Sequence, residues 1–240
     1  MKLMYFIKLL KKILPIKLVK FLAEVNGSIF DGYSTKSYSQ EGEDLILNRI
    51  FEKKGVGFYI DVGAHHPKRF SNTYLFYKKG WSGLNVDAMP NSMARFDRIR
   101  PRDINIEKPI SSRKEILKYY IFNEPALNGF SKELSEKRNS KKDYYIKSTK
   151  DIETVTLEEL LDEHLPNGQN IDFLSIDVEG LDFEVLKSNN FDKYQPEIIL
   201  VEILGSNLAD LEINEITLYL KNLDYFVYAK AVNTVIFLKK

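Results

Sequence analysis

Two acidic residues stand where strand-like segments end, about one helix and one strand apart. Asp61 closes the apolar run 58–60 and is followed by Gly63 and Ala64, while Asp87 ends the next such run. At the carboxyl edge of a parallel sheet, small residues let a ligand approach the main chain, and an acid there can bind a ribose diol. This spacing predicts a nucleotide pocket, with Asp87 on the ribose and Asp61 facing a polar or cationic part of the ligand.

The turn after the first acid argues against a dinucleotide. A NAD-type fingerprint, GxGxxG, lets the main chain touch a pyrophosphate, but here Gly63 is followed by AHHP at positions 64–67. A nucleoside without phosphates needs no such cradle. Because the two histidines are bulky for this turn, Asp61 is preferred over them as a ligand. N-capping of the next segment is the alternative explanation for Asp61, and an ordinary turn acid before Pro90 is the alternative for Asp87.

The elements that position these residues alternate between strand and helix. Ile171 to Ile176 and Ile198 to Ile203 are continuous apolar runs, which predict strands buried on both faces of a parallel sheet with helices on both sides. Tyr225 to Ala229 and Val235 to Leu238 predict a closing hairpin. The segment Asn123 to Lys150, rich in Lys, Ser and Asn, is predicted as an exposed loop or lid beside the pocket. The other predicted strands are 58–61, 83–87, 104–106 and 117–122, and the predicted helices are 41–53, 73–79, 92–98 and part of 152–164.

Composition limits the classes of function. With 240 residues and 44% hydrophobic content, the chain can bury one substantial core. The 35 Lys and Arg residues nearly balance 34 Asp and Glu residues, so no net field favours nucleic acid. The absence of Cys excludes disulfides, thiolate metal sites and a Cys nucleophile, which fits a cytoplasmic protein.

Residues 1–24 differ from the rest of the chain, because six lysines lie among Leu, Ile and Phe and no acid occurs before Glu24. No apolar run approaches the ~20 residues of a spanning helix. An interfacial amphipathic anchor on the inner, anionic membrane face is one interpretation. Packing on the chain's own domain or on a second subunit is the other, and the sequence does not reveal the oligomeric state. We expect an extension with a connector at Asn26 to Gly32, and a domain over 33–240.

Six strings follow one another in a fixed order along the chain. They are YSQEGEDLIL (38–47), YIDVGAHHP (59–67), SNTYLFYKKGWSGLNVD (71–87), PALNGFS (125–131), DFLSIDVEGLDFEVLKS (172–188) and PEIILVE (196–202). In this order and spacing they resemble the FkbM-type S-adenosylmethionine-dependent methyltransferases, over roughly residues 33–240. The resemblance implies a class I Rossmann-like α/β fold, with a mostly parallel seven-stranded sheet and a reversed last strand. It also implies the cofactor S-adenosyl-L-methionine and O-methylation of a sugar or similar polar acceptor.

The resemblance also implies a cofactor-binding set. Asp61, Gly63 and Ala64 would line the amino acid and ribose side, and Asp87 would take the ribose hydroxyls. Met89 would pack against adenine, unless it only fills the core.

Three more polar side chains are candidates for the cofactor. Gln40 and Glu43 precede the first strand and could close the pocket over the methionine part, although a solvated helix start also explains Glu43. Asn105, in the third strand, could approach the adenine amine, although a surface position is an equal alternative.

A second group of acids marks the acceptor side. Asp177 and Glu179 follow the fourth strand of the expected sheet, and Glu202 ends the fifth. A sugar hydroxyl is a poor nucleophile and gains from a group that removes its proton. Asp177 is the first candidate for this base, followed by Glu179 and His66, and helix capping is the alternative for the two acids. A divalent metal on these donors stays open but is not favoured.

Two other classes of function remain. A nucleotide-binding oxidoreductase would share the topology but should carry a glycine-rich phosphate loop. A membrane-tethered binding module would keep the fold and lack methyl transfer. The acceptor could be a small molecule or a glycan, and a membrane-facing extension would favour a lipid-linked or surface-polysaccharide precursor.

Overall fold

The computed structural model describes residues 15–29 and 33–240. The strands, in chain order, are β1 (Phe58–Val62), β2 (Ser82–Asp87), β3 (Ile104–Glu107), β4 (Ile116–Phe122), β5 (Ile146–Glu153), β6 (Phe173–Ile176), β7 (Ile198–Glu202), β8 (Tyr225–Ala231) and β9 (Thr234–Lys239). The α-helices of the described residues are α1 (Ile16–Ile29), α2 (Glu43–Ile50), α3 (Tyr74–Lys78), α4 (Met93–Ile99), α5 (Lys132–Asn139), α6 (Leu157–His164), α7 (Asp182–Lys187) and α8 (Glu215–Asn222).

Seven strands form the main sheet in the order β3-β2-β1-β6-β7-β9-β8. The pairings from β3 through to β7 are all parallel, and β9 runs antiparallel to both β7 and β8. The prediction of a mostly parallel seven-stranded sheet with a reversed last strand is therefore confirmed. Because parallel strands end at one edge of a sheet, the carboxyl ends of β1, β2, β6 and β7 meet there.

The two faces of the sheet carry different apolar clusters. Along β1, Phe58, Ile60 and Val62 belong to a cluster that includes buried residues of α6, α7 and α8. Tyr59 belongs to the opposite cluster, with residues of α2 and α3 and several aromatic side chains. Side chains of a strand alternate between its faces, so one strand with five buried residues supplies both clusters. The predicted helices on both faces are confirmed.

The segment Asn123 to Lys150 lies beside a cavity, as predicted, but the prediction that it is a loop was wrong. The segment contains a 3-10 turn (Pro125–Leu127), the helix α5 and the first part of β5, which pairs antiparallel with β4 in a separate two-stranded sheet. The Ser and Asn residues that suggested a loop instead bond to the main chain. Ser131 Oγ accepts a hydrogen bond from Leu134 N at the start of α5 (3.3 Å), and Asn139 Oδ1 accepts one from Ile146 N at the start of β5 (2.8 Å).

The chain divides into two units after Lys36. In the first unit, α1 runs through Asn26 to Ser28, which were predicted as a connector. The predicted basic helix before Pro15 lies outside the described residues, as do Asp31 and Gly32. No helix in the described part of the chain is long and apolar enough to span a membrane. The anchoring role of residues 1–24 stays a prediction.

Candidate active site

A cavity of about 440 Å³ lies at the carboxyl edge of the main sheet. One wall comes from the ends of β1, β2, β6 and β7, and the other comes from β4 and the segment that connects it to β5. The predicted site residues that line this cavity are Gln40, Gly63, Asp87, Asp177 and Glu179. The fold therefore brings together residues that are up to 139 positions apart in the sequence.

Gly63 forms the tightest part of this wall. Its N–H and that of Ala64 both donate to the carbonyl oxygen of Val86, at 2.9 and 3.0 Å. The φ angle of Gly63 is 84°, and a Cβ at this position would lie 1.7 Å from the carbonyl oxygen of Asp177. Glycine is therefore required both by the backbone conformation and by the close approach of the turn after β6.

Asp87 presents its carboxylate to the cavity at the end of β2. Its Oδ2 accepts a hydrogen bond from His65 N (2.8 Å), and its Oδ1 accepts one from Met89 N (2.7 Å). Burial raises the pKa of Asp87, while these two N–H groups act in the opposite direction. Because a carboxylate has about four lone-pair sites, acceptor capacity is left for a diol in the cavity.

His65 also borders the cavity, although the sequence ranked it below Asp61 as a ligand. Its φ is 49°, a left-handed conformation that is uncommon outside glycine. Burial, followed by the positive charge of Arg69, lowers the pKa of its imidazole. A neutral ring is therefore expected at physiological pH.

Asp177 follows β6 and is held at the sheet edge by its N–H, which donates to the carbonyl oxygen of Val62 (3.0 Å). Its carboxyl is open to the cavity but closely surrounded by protein atoms. This desolvation, and then the charges of Glu202 and Glu179, raises the pKa of Asp177 well above its ordinary value. Desolvation, and then the charge of Glu179, raises the pKa of Glu202 to about 8. The site therefore holds a carboxyl pair that is more basic than usual.

Glu179 is committed to an ion pair. Its Oε2 bonds to Arg138 Nη2 on α5, and each side chain is only 16% exposed. Arg138 Nη1 also donates to the carbonyl oxygen of Leu127 (3.3 Å). Of the two acids after β6, Asp177 is therefore the better placed to accept a proton from a ligand.

Two predicted residues close to the first turn lie outside the cavity wall. The Asp61 carboxylate is buried and accepts a hydrogen bond from Thr73 Oγ1 (2.7 Å). His66 Nδ1 accepts hydrogen bonds from the N–H groups of Lys68 and Arg69, both at 3.0 Å. Their direct contact with a ligand or acceptor stays a prediction.

Three further predicted residues are also placed behind the wall. Ala64 packs with Met93 and Phe96. Glu43 is buried, and its Oε1 accepts a hydrogen bond from Thr234 Oγ1 (3.1 Å).

The side-chain amide of Asn105, the third of these predicted residues, has hydrogen-bond partners within the protein. Its Oδ1 accepts a hydrogen bond from Asn85 Nδ2 (2.8 Å), and its Nδ2 donates to Asp97 Oδ1 (2.9 Å). A direct cofactor contact by Ala64, Glu43 or Asn105 stays a prediction.

Sequence reasoning missed a buried network behind the cavity. Arg100 is fully buried, and its Nη2 donates to Tyr59 Oη and Thr73 Oγ1, both at 2.8 Å. Its Nε donates to Asp103 Oδ2, also at 2.8 Å. Since Thr73 in turn donates to Asp61, Arg100 positions the acid of the first motif. The string RPRD at 100–103 resembles a surface turn and carried no signal of this role.

The connecting segment between β4 and β5 supplies other residues that the sequence did not single out. Asn128 Oδ1 accepts a hydrogen bond from Phe122 N (2.8 Å), and Asn128 Nδ2 contacts Met89 Sδ (3.6 Å). The PALNGFS string, which contains Asn128, was the available signal. This string contributed to the family resemblance, but it did not reveal which of its side chains face the cavity.

The cavity suits a cationic, phosphate-free nucleoside. Val62, Val86 and Met89 form an apolar strip next to Asp87, which fits a purine base and its ribose. Of the three lining Lys and Arg residues, Arg69 and Arg138 are already paired with carboxylates, and the third is Lys108. No group of three His, Asp or Glu side chains within residues 15–29 and 33–240 is arranged to hold a metal ion.

The family model described as Methyltransferase FkbM domain matches residues 61–227, from within β1 to within β8. No curated protein matches the chain.

Proposed function

The chain belongs to the FkbM methyltransferase family and uses S-adenosylmethionine, and from this premise we propose that it methylates a hydroxyl oxygen of a sugar. The sugar is part of a glycan, a lipid-linked sugar or a related polar metabolite. When bound, S-adenosylmethionine supplies an electrophilic methyl carbon, and the reaction is an in-line displacement at that carbon.

The residues near the ends of β1 and β2 fit the cofactor. We assign the ribose hydroxyls to the free lone pairs of Asp87, and the close main-chain contact to Gly63. Gln40 lines the same cavity and is assigned to the methionine part. The raised pKa values of Asp177 and Glu202 reflect desolvation and, after it, crowded negative charge, which a sulfonium and an ammonium group would relieve.

The residues at the ends of β6 and β7 fit the acceptor. Asp177 accepts the proton of the attacking hydroxyl, and Glu202 strengthens Asp177 as a base by raising its pKa. Glu179 is paired with Arg138, so we assign it a structural role in the cavity wall. Proton transfer is assigned to Asp177.

Aromatic and amide side chains that line the same cavity support a sugar as the acceptor. They are Phe70, Tyr119, Asn128, Phe130, Tyr144 and Asn233. Flat apolar faces next to hydrogen-bonding groups match the alternating CH and OH surfaces of a sugar ring. One observation carries the proposal, which is that Asp87 and Asp177 line the same cavity.

Calorimetry and an acceptor screen test this function. We expect binding of S-adenosylmethionine and S-adenosylhomocysteine but not of NAD, and release of S-adenosylhomocysteine when a suitable sugar acceptor is added. Asp177→Asn should keep cofactor binding and lose turnover. NAD binding would favour an oxidoreductase, and cofactor binding without turnover on any acceptor would favour a binding module.

A further inference from the structure

The opening of the cavity is bordered by three chain tips that combine exposed apolar and basic residues. The tips, named here the rim tips, are Lys68–Phe70, Lys141–Lys147 and Lys230–Val232. Phe70 and Tyr144 line the cavity themselves, and Asn233, next to the third tip, also lines it. The three tips therefore surround one opening, although they are far apart in the sequence.

The apolar side chains of the rim tips point away from the core. Phe70 is 41% exposed, Tyr145 is 56% exposed and Val232 is 69% exposed. Two of them are also held in an unfavourable backbone conformation, with φ of 57° at Phe70 and 41° at Val232. Left-handed φ values are rare for aromatic and β-branched residues, and such strain collects where function requires it. Turns of this kind ordinarily carry Gly or Asn.

Phe70 and Val232 each have a cation beside them, and Tyr145 lies between lysines in the sequence. The Arg69 guanidinium lies 4.2 Å from the centre of the Phe70 ring, and Lys230 Nζ bonds to the carbonyl oxygen of Val232. The second tip reads KKDYYIK, with Tyr144 and Tyr145 between exposed lysines. Acids are fewer there, since Asp143 lies within this tip and Glu124 is paired with Arg69. Tyrosines flanked by lysines are typical of side chains that sit at a lipid headgroup boundary.

The neighbouring loop after β7 also exposes apolar side chains, but it adds no positive charge that would attract an anionic surface. Leu204 lines the cavity and is 43% exposed, and Leu208 and Ile213 in the same loop are 71% and 80% exposed. The acids Asp210 and Glu212 also lie in this loop. The basic rim tips, more than this loop, therefore determine which surface the opening prefers.

We propose that the rim tips dock the cavity opening onto a membrane surface that carries anionic lipid headgroups. Phe70, Tyr145 and Val232 enter the headgroup boundary, and the lysines contact the lipid phosphates. In this orientation the cavity receives an acceptor presented by the membrane, such as a sugar carried on a lipid. This statement about the acceptor rests on the proposed function, whereas the docking itself does not.

Vesicle sedimentation with the full chain tests the docking. The vesicles contain phosphatidylcholine with or without phosphatidylglycerol. We expect the wild type to prefer anionic vesicles and to lose binding as salt is raised. Tyr145→Asp combined with Val232→Asp should reduce partitioning about tenfold, and Lys141→Glu combined with Lys142→Glu should do so only on anionic vesicles. Residues 1–36 are present in every variant, so any contribution from them is the same throughout.

The matched control is Val56→Asp. Val56 is 66% exposed and precedes β1, so it lies at the opposite edge of the sheet from the cavity. This variant should partition like the wild type. Thermal unfolding of each variant checks that the fold is kept, whether or not S-adenosylhomocysteine binds.

Equal partitioning of the rim variants and the wild type would overturn the docking. So would a rim-dependent dimer that shows no lipid preference, because a second copy of the chain would then cover the rim. A protein that binds vesicles through the rim but ignores S-adenosylhomocysteine would leave the docking intact and refute the proposed function.

Discussion

The carbonyl oxygen of Asp177 lies 1.7 Å from the point that a Cβ at position 63 would occupy. The turn after β1 and the turn after β6 are thus interlocked, and no side chain fits between them. Because one turn belongs to the assigned cofactor end of the cavity and the other to the assigned acceptor end, this contact sets the distance between the two ends.

Gly63→Ala should destabilise the fold and displace Asp177. Overpacking and the unfavourable φ together predict a loss of about 2 to 5 kcal/mol in unfolding free energy. Denaturant unfolding measures the loss, and methyl transfer should fall with it. Gly55→Ala is the control, since nothing lies within 4 Å of a Cβ there and its φ is not left-handed. Equal stability of the two variants would contradict the interlock.

Asp87→Ala should weaken S-adenosylhomocysteine binding by about 1 to 3 kcal/mol, the range for a buried group that loses its partner. Titration calorimetry measures the change. Asp192→Ala is a suitable control, because Asp192 is exposed and does not line the cavity. If Asp87→Ala binds as tightly as the wild type, Asp87 does not hold the ribose.

The rate of methyl transfer should rise with pH through the raised pKa of Asp177, because only the ionised carboxylate accepts a proton. Next to desolvation, the charge of Glu202 is the largest cause of this shift. Glu202→Gln should therefore move the midpoint of the kcat/KM profile to lower pH, while Glu197→Gln, at an exposed site, should not move it. A profile with the same midpoint in all three proteins would exclude coupling between Glu202 and the base.

Glu202→Gln should also change how stability depends on pH. The pKa of Glu202 rises from an ordinary 4.5 to about 8 on folding. Between these values the unfolded chain has lost the proton and the folded chain has kept it, so folding is penalised more as pH rises. The variant lacks this penalty. Its melting temperature relative to the wild type should therefore increase with pH and level off above about 8; a constant difference in thermal unfolding would refute the shift.

Arg138→Met should leave Glu179 without its partner and cost about 3 kcal/mol, as for other largely buried pairs in which one charge is removed. The pKa of Glu179 should rise further, since Arg138 holds it down. Combining Arg138→Met with Glu179→Gln should recover much of the loss. Unfolding free energies in this double-mutant cycle measure the coupling, and strictly additive effects would show that the pair contributes nothing.

Much of the framework could be predicted from local sequence patterns. Buried runs such as Ile171 to Ile176, and acids at strand ends such as Asp87, are local signals, because alternation and strand termination depend on neighbouring residues. The prediction of a loop at 123–150 was wrong because it also relied on local signals alone. The Ser and Asn residues of this segment favour loops in isolation, but here they cap α5 and bond to the start of β5.

The sequence by itself determined the order of most elements outside the segment 123–150, the family resemblance and the types of side chain available for chemistry. Only the tertiary structure decided which of these side chains share the cavity. It placed Asp87 and Asp177 in one wall, turned Asp61 toward Thr73, and paired Glu179 with Arg138. The physical reason is that strand order and the direction of each side chain depend on contacts between distant segments, whereas residue spacing reports only on near neighbours.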